Sequence, residues 1–203
     1  MQTATGEFKP TLATIQSPRQ IQLPESLLND SKKVTAVSAG GDTSYLVIEG
    51  PSSSEAFSAG FGQFGELGHG KFQHMSGTLQ RLEGVSGRVY FNEVARKVAP
   101  IRIRYLTAGR HHAAAVMSTE QEGNGDSVFV WGLNKDSQLG IEGSRANQGQ
   151  PVPASAFISI TPFHGEGETE PLQLSWARGG FAQRFVCGHD VTAVFTVQRG
   201  TSA

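Results

Sequence analysis

The run GFGQFGELGHGKF, from Gly60 to Phe72, carries the densest chemical suggestion in this chain. Gly60, Gly62 and Gly65 spell the G-x-G-x-x-G spacing of a dinucleotide loop, and Gly65, Gly70 and Lys71 spell most of a G-x-x-x-x-G-K phosphate loop. In both, glycine lets backbone amides close on phosphate oxygens, and the N-terminus of the next helix supplies the positive end of its dipole. A helix must therefore follow. After Lys71 the chain reads FQHMSGTLQRLEGVSGRVYF, where Gly77, Gly84 and Gly87 interrupt any helical run. Phe72 also stands where a phosphate loop needs Ser or Thr to hold magnesium. The sequence argues against nucleotide binding here, and the glycines need another explanation.

The other reactive side chains form no constellation. His111 and His112 are adjacent, so on a strand they point to opposite faces. His69, His74, His164 and His189 lack the spacings of zinc sites, so neither a metal nor a cofactor is expected. There is no G-x-S-x-G elbow, and a single cysteine, Cys187, excludes an internal disulfide framework and assigns no nucleophile. Catalytic residues are therefore expected to be absent and the protein not to be an enzyme. Trp131 and Trp176 are candidate interface anchors.

A chain of 203 residues suffices for one domain with a sizeable core. The 17 basic and 18 acidic residues give a net charge of −1, which leaves no electrostatic footprint for nucleic acid or an anionic membrane. The 25 glycines between short apolar runs favour an all-β fold rich in turns. No stretch reaches the roughly 18 apolar residues of a membrane span, and the first twenty residues resemble neither a signal nor a transit peptide.

The glycines belong to a repeat. SAGGDTSYLV (Ser38 to Val47), TAGRHHAAAV (Thr107 to Val116) and VCGHDVTAVF (Val186 to Phe195) align without gaps, each a small residue and a glycine (Gly40, Gly109, Gly188) leading into an alternating apolar strand. Cys187 takes the place of Ala39 and Ala108, a small buried slot. A second block follows: AGFGQFGELG (Ala59 to Gly68) aligns with WGLNKDSQLG (Trp131 to Gly140), which turns Gly60, Gly65, Leu67 and Gly68 into structural residues. The alignment places Trp131 in the core. Polar loops between the blocks suit antiparallel strands, and small twisted sheets repeated radially make a β-propeller.

These residues resemble the regulator of chromosome condensation repeat, which couples A-x-G-x-x-H-T-x-A-L to W-G-x-N-x-x-G-Q-L-G. Trp131, Gly132, Asn134, Gln138, Leu139 and Gly140 match its second segment, and His112 takes the histidine place of the first. Ala59, Gly62 and Glu66 replace the tryptophan, asparagine and glutamine in the other copy, while Thr43 and Val191 replace the histidine. The resemblance implies a partial, open propeller, about two to three blades of a seven-bladed ring. Residues 1–33 are read as the end of a preceding repeat, containing PTLATIQSPRQIQLPESL, and a linker. Residues 34–106 form a unit with an inserted hairpin, 107–182 a unit with an insertion, and 183–203 an opening strand and tail. The first block recurs after 69 and then 79 residues, longer than the roughly 40 to 50 of most propeller repeats. The excess is assigned to LEGVSGRVYFNEVARKVAPIRIRYL and FISITPFHGEGETEPLQLSWARGGF.

The FGELGHGKF turn together with VAPIRIRYLTAGRHH resembles the fungal mitochondrial inner-membrane branch of this family, linked to assembly of respiratory complex III. That resemblance implies a non-catalytic protein-interaction scaffold in mitochondria, with protein partners that include the rest of its own propeller; the near-neutral charge leaves nucleic acid out of the expected partners. The alternative it leaves open is a guanine-nucleotide exchange factor or regulator of a small GTPase, the activity of the family's founding member.

Overall fold

The structure, a computed structural model, describes residues 23, 27, 31–119, 126–141, 145–153, 157–158, 171–172 and 181–197. Two four-stranded antiparallel meanders dominate it. The first joins β1 (Lys33–Gly40), β2 (Thr43–Glu49), β3 (Ser54–Gly60) and β4 (Met75–Arg81) in sequence order. A hairpin of β5 (Val89–Asn92) and β6 (Lys97–Pro100) follows. The second meander joins β7 (Arg102–Ala108), β8 (His112–Ser118), β9 (Ser127–Gly132) and β10 (Gln148–Pro153). β11 (Phe157–Ile158) pairs with β12 (Pro171–Leu172), and β13 (Phe181–Cys187) with β14 (Thr192–Val197).

Strand alternation explains why the second sheet sits in the middle. β8 is buried along almost its whole length, and its period of two divides its side chains between two cores. Ala113, Ala115 and Met117 face the first sheet, together with Ile103, Leu106, Phe129 and Trp131, and meet Tyr45, Val47 and Ala56 there. Ala114 and Val116 face the other way, with Val128 and Val130, and share a cluster with Leu139 and Cys187. A sheet covered on both faces is a blade with a neighbour on each side.

The three inner strands β1, β7 and β13 repeat even in their defects. The pairing of each with the next strand slips once, between Val34 and Ala36, Ile103 and Tyr105, and Ala182 and Arg184. These pairs are spaced by the same 69 and 79 residues as the sequence blocks. A bulge increases local twist, so the shared defect gives successive blades the same bend.

The run IRIRYL, grouped from sequence with the inserted segment, is in fact β7, the inner strand of the second blade. Its Ile103 and Leu106 bury against the first sheet, and the Ile103 amide donates to Ser54 Oγ at 3.0 Å. The insertion proper is the β5–β6 hairpin, and the unit drawn from residue 107 starts inside a strand whose sheet begins at Arg102. Most of the second insertion and nearly all of the leading segment lie outside the described residues, as do Trp176 and His164.

Among the described residues no sheet covers the Val34 and Val37 side of β1. Val34 and Val37 align with Ile103 and Leu106, yet they are 47% and 72% exposed where the latter are 3% and 8%. The described residues make an all-β fold, two blades and the opening hairpin of a third in a partial propeller. Among the described residues no helix is long and apolar enough to cross a membrane.

Candidate functional site

The motif residues converge on the seams between blades. Each blade has an opening turn, after Gly40, Gly109 or Gly188, and the first two have a closing turn, Gly60 to Gly68 and Gly132 to Gly140. A Cβ on Gly40 would collide with the Gly109 carbonyl oxygen, and one on Gly109 with the Gly188 carbonyl oxygen. The Arg110 amide donates to that same Gly188 oxygen at 3.2 Å. Backbone stacks directly on backbone from blade to blade, which only glycine permits.

The closing turns share a backbone course. The Phe61 amide donates to the Asp42 carbonyl at 3.0 Å, and its counterpart Leu133 donates to the His111 carbonyl at 2.7 Å. Gly60 and Gly132 precede them with φ of 120° and 104°, and a Cβ on either would collide with that same carbonyl. Further along, Gly68 donates to Gly65 and Gly140 to Ser137, both at 3.0 Å. After the first closing turn the chain enters strand β4 within a few residues of Lys71. A helix N-terminus, which either nucleotide loop requires, does not stand there.

Leu67 and Leu139 are fully buried beneath their turns. Asn134, also buried, accepts the Leu139 amide on Oδ1 at 3.1 Å. Trp131 locks the first seam: its indole Nε1–H donates to the Glu66 carbonyl at 2.7 Å, an oxygen that also accepts the Tyr45 hydroxyl. The two rings meet edge to face, 5.9 Å between centroids. Burial pushes the Tyr45 hydroxyl far above its ordinary pKa, so it stays a donor.

Glu66 and His111 are an addition that the repeat pattern does not reveal. Glu66 Oε2 accepts the Phe64 amide at 2.8 Å, as Gln138 Oε1 accepts the Asp136 amide at 2.9 Å in the next blade. Glu66 Oε1 lies 3.2 Å from His111 Nδ1 across the seam. Burial raises the pKa of this carboxyl, against the lowering effect of backbone amides and His111. The His111 ring meets Phe64 at 5.0 Å, and His74 stacks on Phe61 at 4.2 Å. The available sequence signal was the departure from glutamine at Glu66. Its pairing with a residue 45 positions away required the fold.

His111 and His112 do serve opposite sides. His112 is buried with its pKa lowered by desolvation, and its Nε2 lies 3.0 Å from Thr192 Oγ1 in the third blade. The Thr192 hydroxyl donates to the Gln138 carbonyl at 2.7 Å. The Cys187 thiol is buried at this seam and pushed up to about 12, chiefly by desolvation, which leaves it a poor nucleophile at neutral pH. At the far end of the first seam Arg102 clamps a turn, its guanidinium donating to the carbonyls of Gly50, Ser53 and Pro51 at 2.7, 3.2 and 3.2 Å. Among the described residues no three His, Cys, Asp or Glu side chains converge as a metal site.

No protein-family model matches the chain. It is 30% identical over 131 residues to the ultraviolet-B receptor UVR8 of Arabidopsis thaliana, covering 64% of this chain and 24% of that protein. It is 27% identical over 180 residues to the human E3 ubiquitin-protein ligase HERC2, covering 84% of this chain and 3% of the relative. The chain thus spans a quarter or less of the length of these relatives. Among solved structures it is similar to human WBSCR16, with a TM-score of 0.53 and 22% identity over 84% of this chain and 33% of the other. It is also similar to Prp20p of Saccharomyces cerevisiae, with a TM-score of 0.58 and 14% identity over 92% of this chain and 35% of the other. These likenesses show a shared fold, the propeller.

Proposed function

We propose that this chain, whose repeats are of the regulator of chromosome condensation type, is a segment of a non-catalytic propeller that binds other proteins and serves in mitochondria as an assembly factor for respiratory complex III. One observation carries the scaffold reading. Among the described residues, the motif glycines, Trp131, His111 and His112 are engaged in holding blade to blade. A rigid array of sheets presents its exposed surface to partners. The exposed apolar Val34 and Val37 of β1 suit coverage by a further blade of the same protein. The mitochondrial role is supported by the resemblance of FGELGHGKF and VAPIRIRYLTAGRHH to the fungal inner-membrane branch.

The test is affinity purification of the natural full-length protein from fractionated mitochondria. Co-purification with partly assembled complex III, and loss of mature complex on deletion, is the expected result. A protein outside mitochondria with no such companions overturns the assembly role. The second reading, regulation of a small GTPase, is supported by the likeness to Prp20p, a protein whose structure was described with its binding to Gsp1p and histones. Accelerated nucleotide release from a small GTPase by the full-length protein would put that reading first.

A further inference from the structure

Blade meets blade through the same contacts at both described seams. A hydroxyl on the inner strand of one blade accepts a backbone amide of the next: Ser38 Oγ takes the Ala108 amide at 3.0 Å, and Thr107 Oγ1 takes the Cys187 amide at 3.2 Å. A glycine of one blade leaves room for a carbonyl oxygen of the next, Gly40 for that of Gly109 and Gly109 for that of Gly188. The carbonyl of a closing turn takes a side-chain donor from the next blade, Glu66 from Trp131 and Gln138 from Thr192. Three independent contacts repeated at two seams amount to a rule for what fits against a blade.

The receiving half of that rule recurs on β1 and β2. Ala39 aligns with Ala108 and Cys187, Gly40 with Gly109 and Gly188, and Ser44 with Thr192. Val37 stands opposite Leu46 and Ala39 opposite Ser44, so Val37, Ala39 and Ser44 share one face of the first sheet. The corresponding face of the second sheet carries Ile103, Leu106 and Ala113, all buried against the first blade. On the first sheet Val34, Val37, Ala39 and Ser44 are exposed, while Ile48 on the same face is buried. The exposed part therefore holds both the apolar residues that gain by being covered and the polar groups that set the register of the cover.

Charge selects the closing turn that fits. At the first seam the Glu66 carboxylate meets His111 across the blades. At the second, Gln138 takes the place of Glu66, and Asp190 that of His111. The first blade carries Asp42 there, exposed and two residues before Ser44, as Asp190 is exposed and two residues before Thr192. A glutamate turn would set a second carboxylate toward Asp42, whereas a glutamine turn is neutral and offers N–H donors. Asp42 and Ser44 thus repeat the side of the seam that receives Gln138. A second copy of this chain does not offer such a turn, because its Gln138 carbonyl is held by its own Thr192 and its Glu66 carbonyl by Trp131 and Tyr45.

We propose that the face bearing Val37, Ala39 and Ser44 receives a further blade of the same protein that ends on a glutamine turn. The inner strand of that blade brings a Ser or Thr hydroxyl to the Ala39 amide and a glycine to the Gly40 carbonyl. Its turn carbonyl takes the Ser44 hydroxyl, and its glutamine stands neutral beside Asp42. This rests on the scaffold reading and adds the chemistry of the blade that completes it. The test uses the natural full-length protein. Cysteines introduced by Val37→Cys and Ser44→Cys should react with a maleimide at least tenfold more slowly than one introduced by Val98→Cys on the exposed hairpin, read by peptide mass spectrometry. Ser44→Ala should lower the urea midpoint and Ser44→Thr should keep it. Glutamate in place of the aligned glutamine of the further blade should lower the midpoint, and Asp42→His should restore it by recreating the Glu66–His111 pair of the first seam. Labelling of Val37→Cys and Ser44→Cys at the Val98→Cys rate overturns the proposal. So does protection that is lost on dilution, as a second copy would give, a carboxylate already standing at the aligned position, or a glutamate variant that Asp42→His does not rescue. Co-purification of other proteins is read on the unaltered protein, so failure of the seam leaves the interaction reading standing, and absence of partners leaves the seam standing.

Discussion

The closing turns Gly60–Gly68 and Gly132–Gly140 follow one backbone path into different company. In the first, the tryptophan of the next blade reaches over to bond the Glu66 carbonyl, and a carboxylate meets a histidine. In the second, Thr192 supplies the hydroxyl that bonds the Gln138 carbonyl, and a neutral amide stands where the carboxylate was. Gln138 Nε2 has no hydrogen-bond partner among the described residues. Both seams satisfy the carbonyl of the turn, which shows that this oxygen is the constant requirement and the donor the variable one.

The comparison breaks most severely at Trp131. Trp131→Ala removes the largest fully buried side chain and a donor to the Glu66 carbonyl, and should cost about 3–5 kcal/mol, read as a shift in the urea midpoint. The aligned residue in the first blade is already Ala59, so the loss belongs to one seam. Next is Gly132→Ala, which forces a side chain into a left-handed conformation against the His111 carbonyl. A loss of at least about 1–3 kcal/mol is expected, with Gly60→Ala behaving alike because its geometry is the same.

Glu66→Gln converts the first seam to the amide of the second. The carboxyl has a folded pKa above its unfolded one, so the folded state binds the proton more tightly. Its contribution to stability is fully present below the ordinary glutamate pKa and is lost as pH rises through the elevated folded value. The variant should therefore flatten the pH dependence across that interval and match or exceed the parent by about 1 kcal/mol at neutral pH. Urea titrations at several pH values check both. An unchanged slope would show that His111 keeps Glu66 ionised throughout. The smallest effect is expected from Ser137→Gly: Ser137 holds φ at 61° where the first turn has Gly65, and relieving it should add about 0.5–1 kcal/mol in the same assay.

Local patterns were legible where one residue type answers one backbone requirement. Gly60 and Gly132 correspond because each must hold a positive φ after a strand, and Leu67 and Leu139 because each must fill the space under a turn. The inner strand IRIRYL was harder to place, since its alternation suits an inserted hairpin as well as a blade. Only the burial of Ile103 and Leu106 against the first sheet assigns it. The Glu66–His111 pair and the Arg102 clamp bridge long sequence separations, and no periodicity reports such a distance.

What the amino-acid sequence determined by itself was the blade: its turns, its alternation and its recurrence, all consequences of steric rules that act within a few residues. What the tertiary structure alone decided was which faces are covered. Val37 and Leu106 are aligned apolar residues on equivalent strands, and one is exposed while the other is buried because a sheet lies over only one of them. The same applies to the β5–β6 hairpin, where Ala99 is buried and its neighbour Val98 is 63% exposed. Hydrophobicity states that a side chain gains by leaving water, and packing determines whether it has somewhere to go.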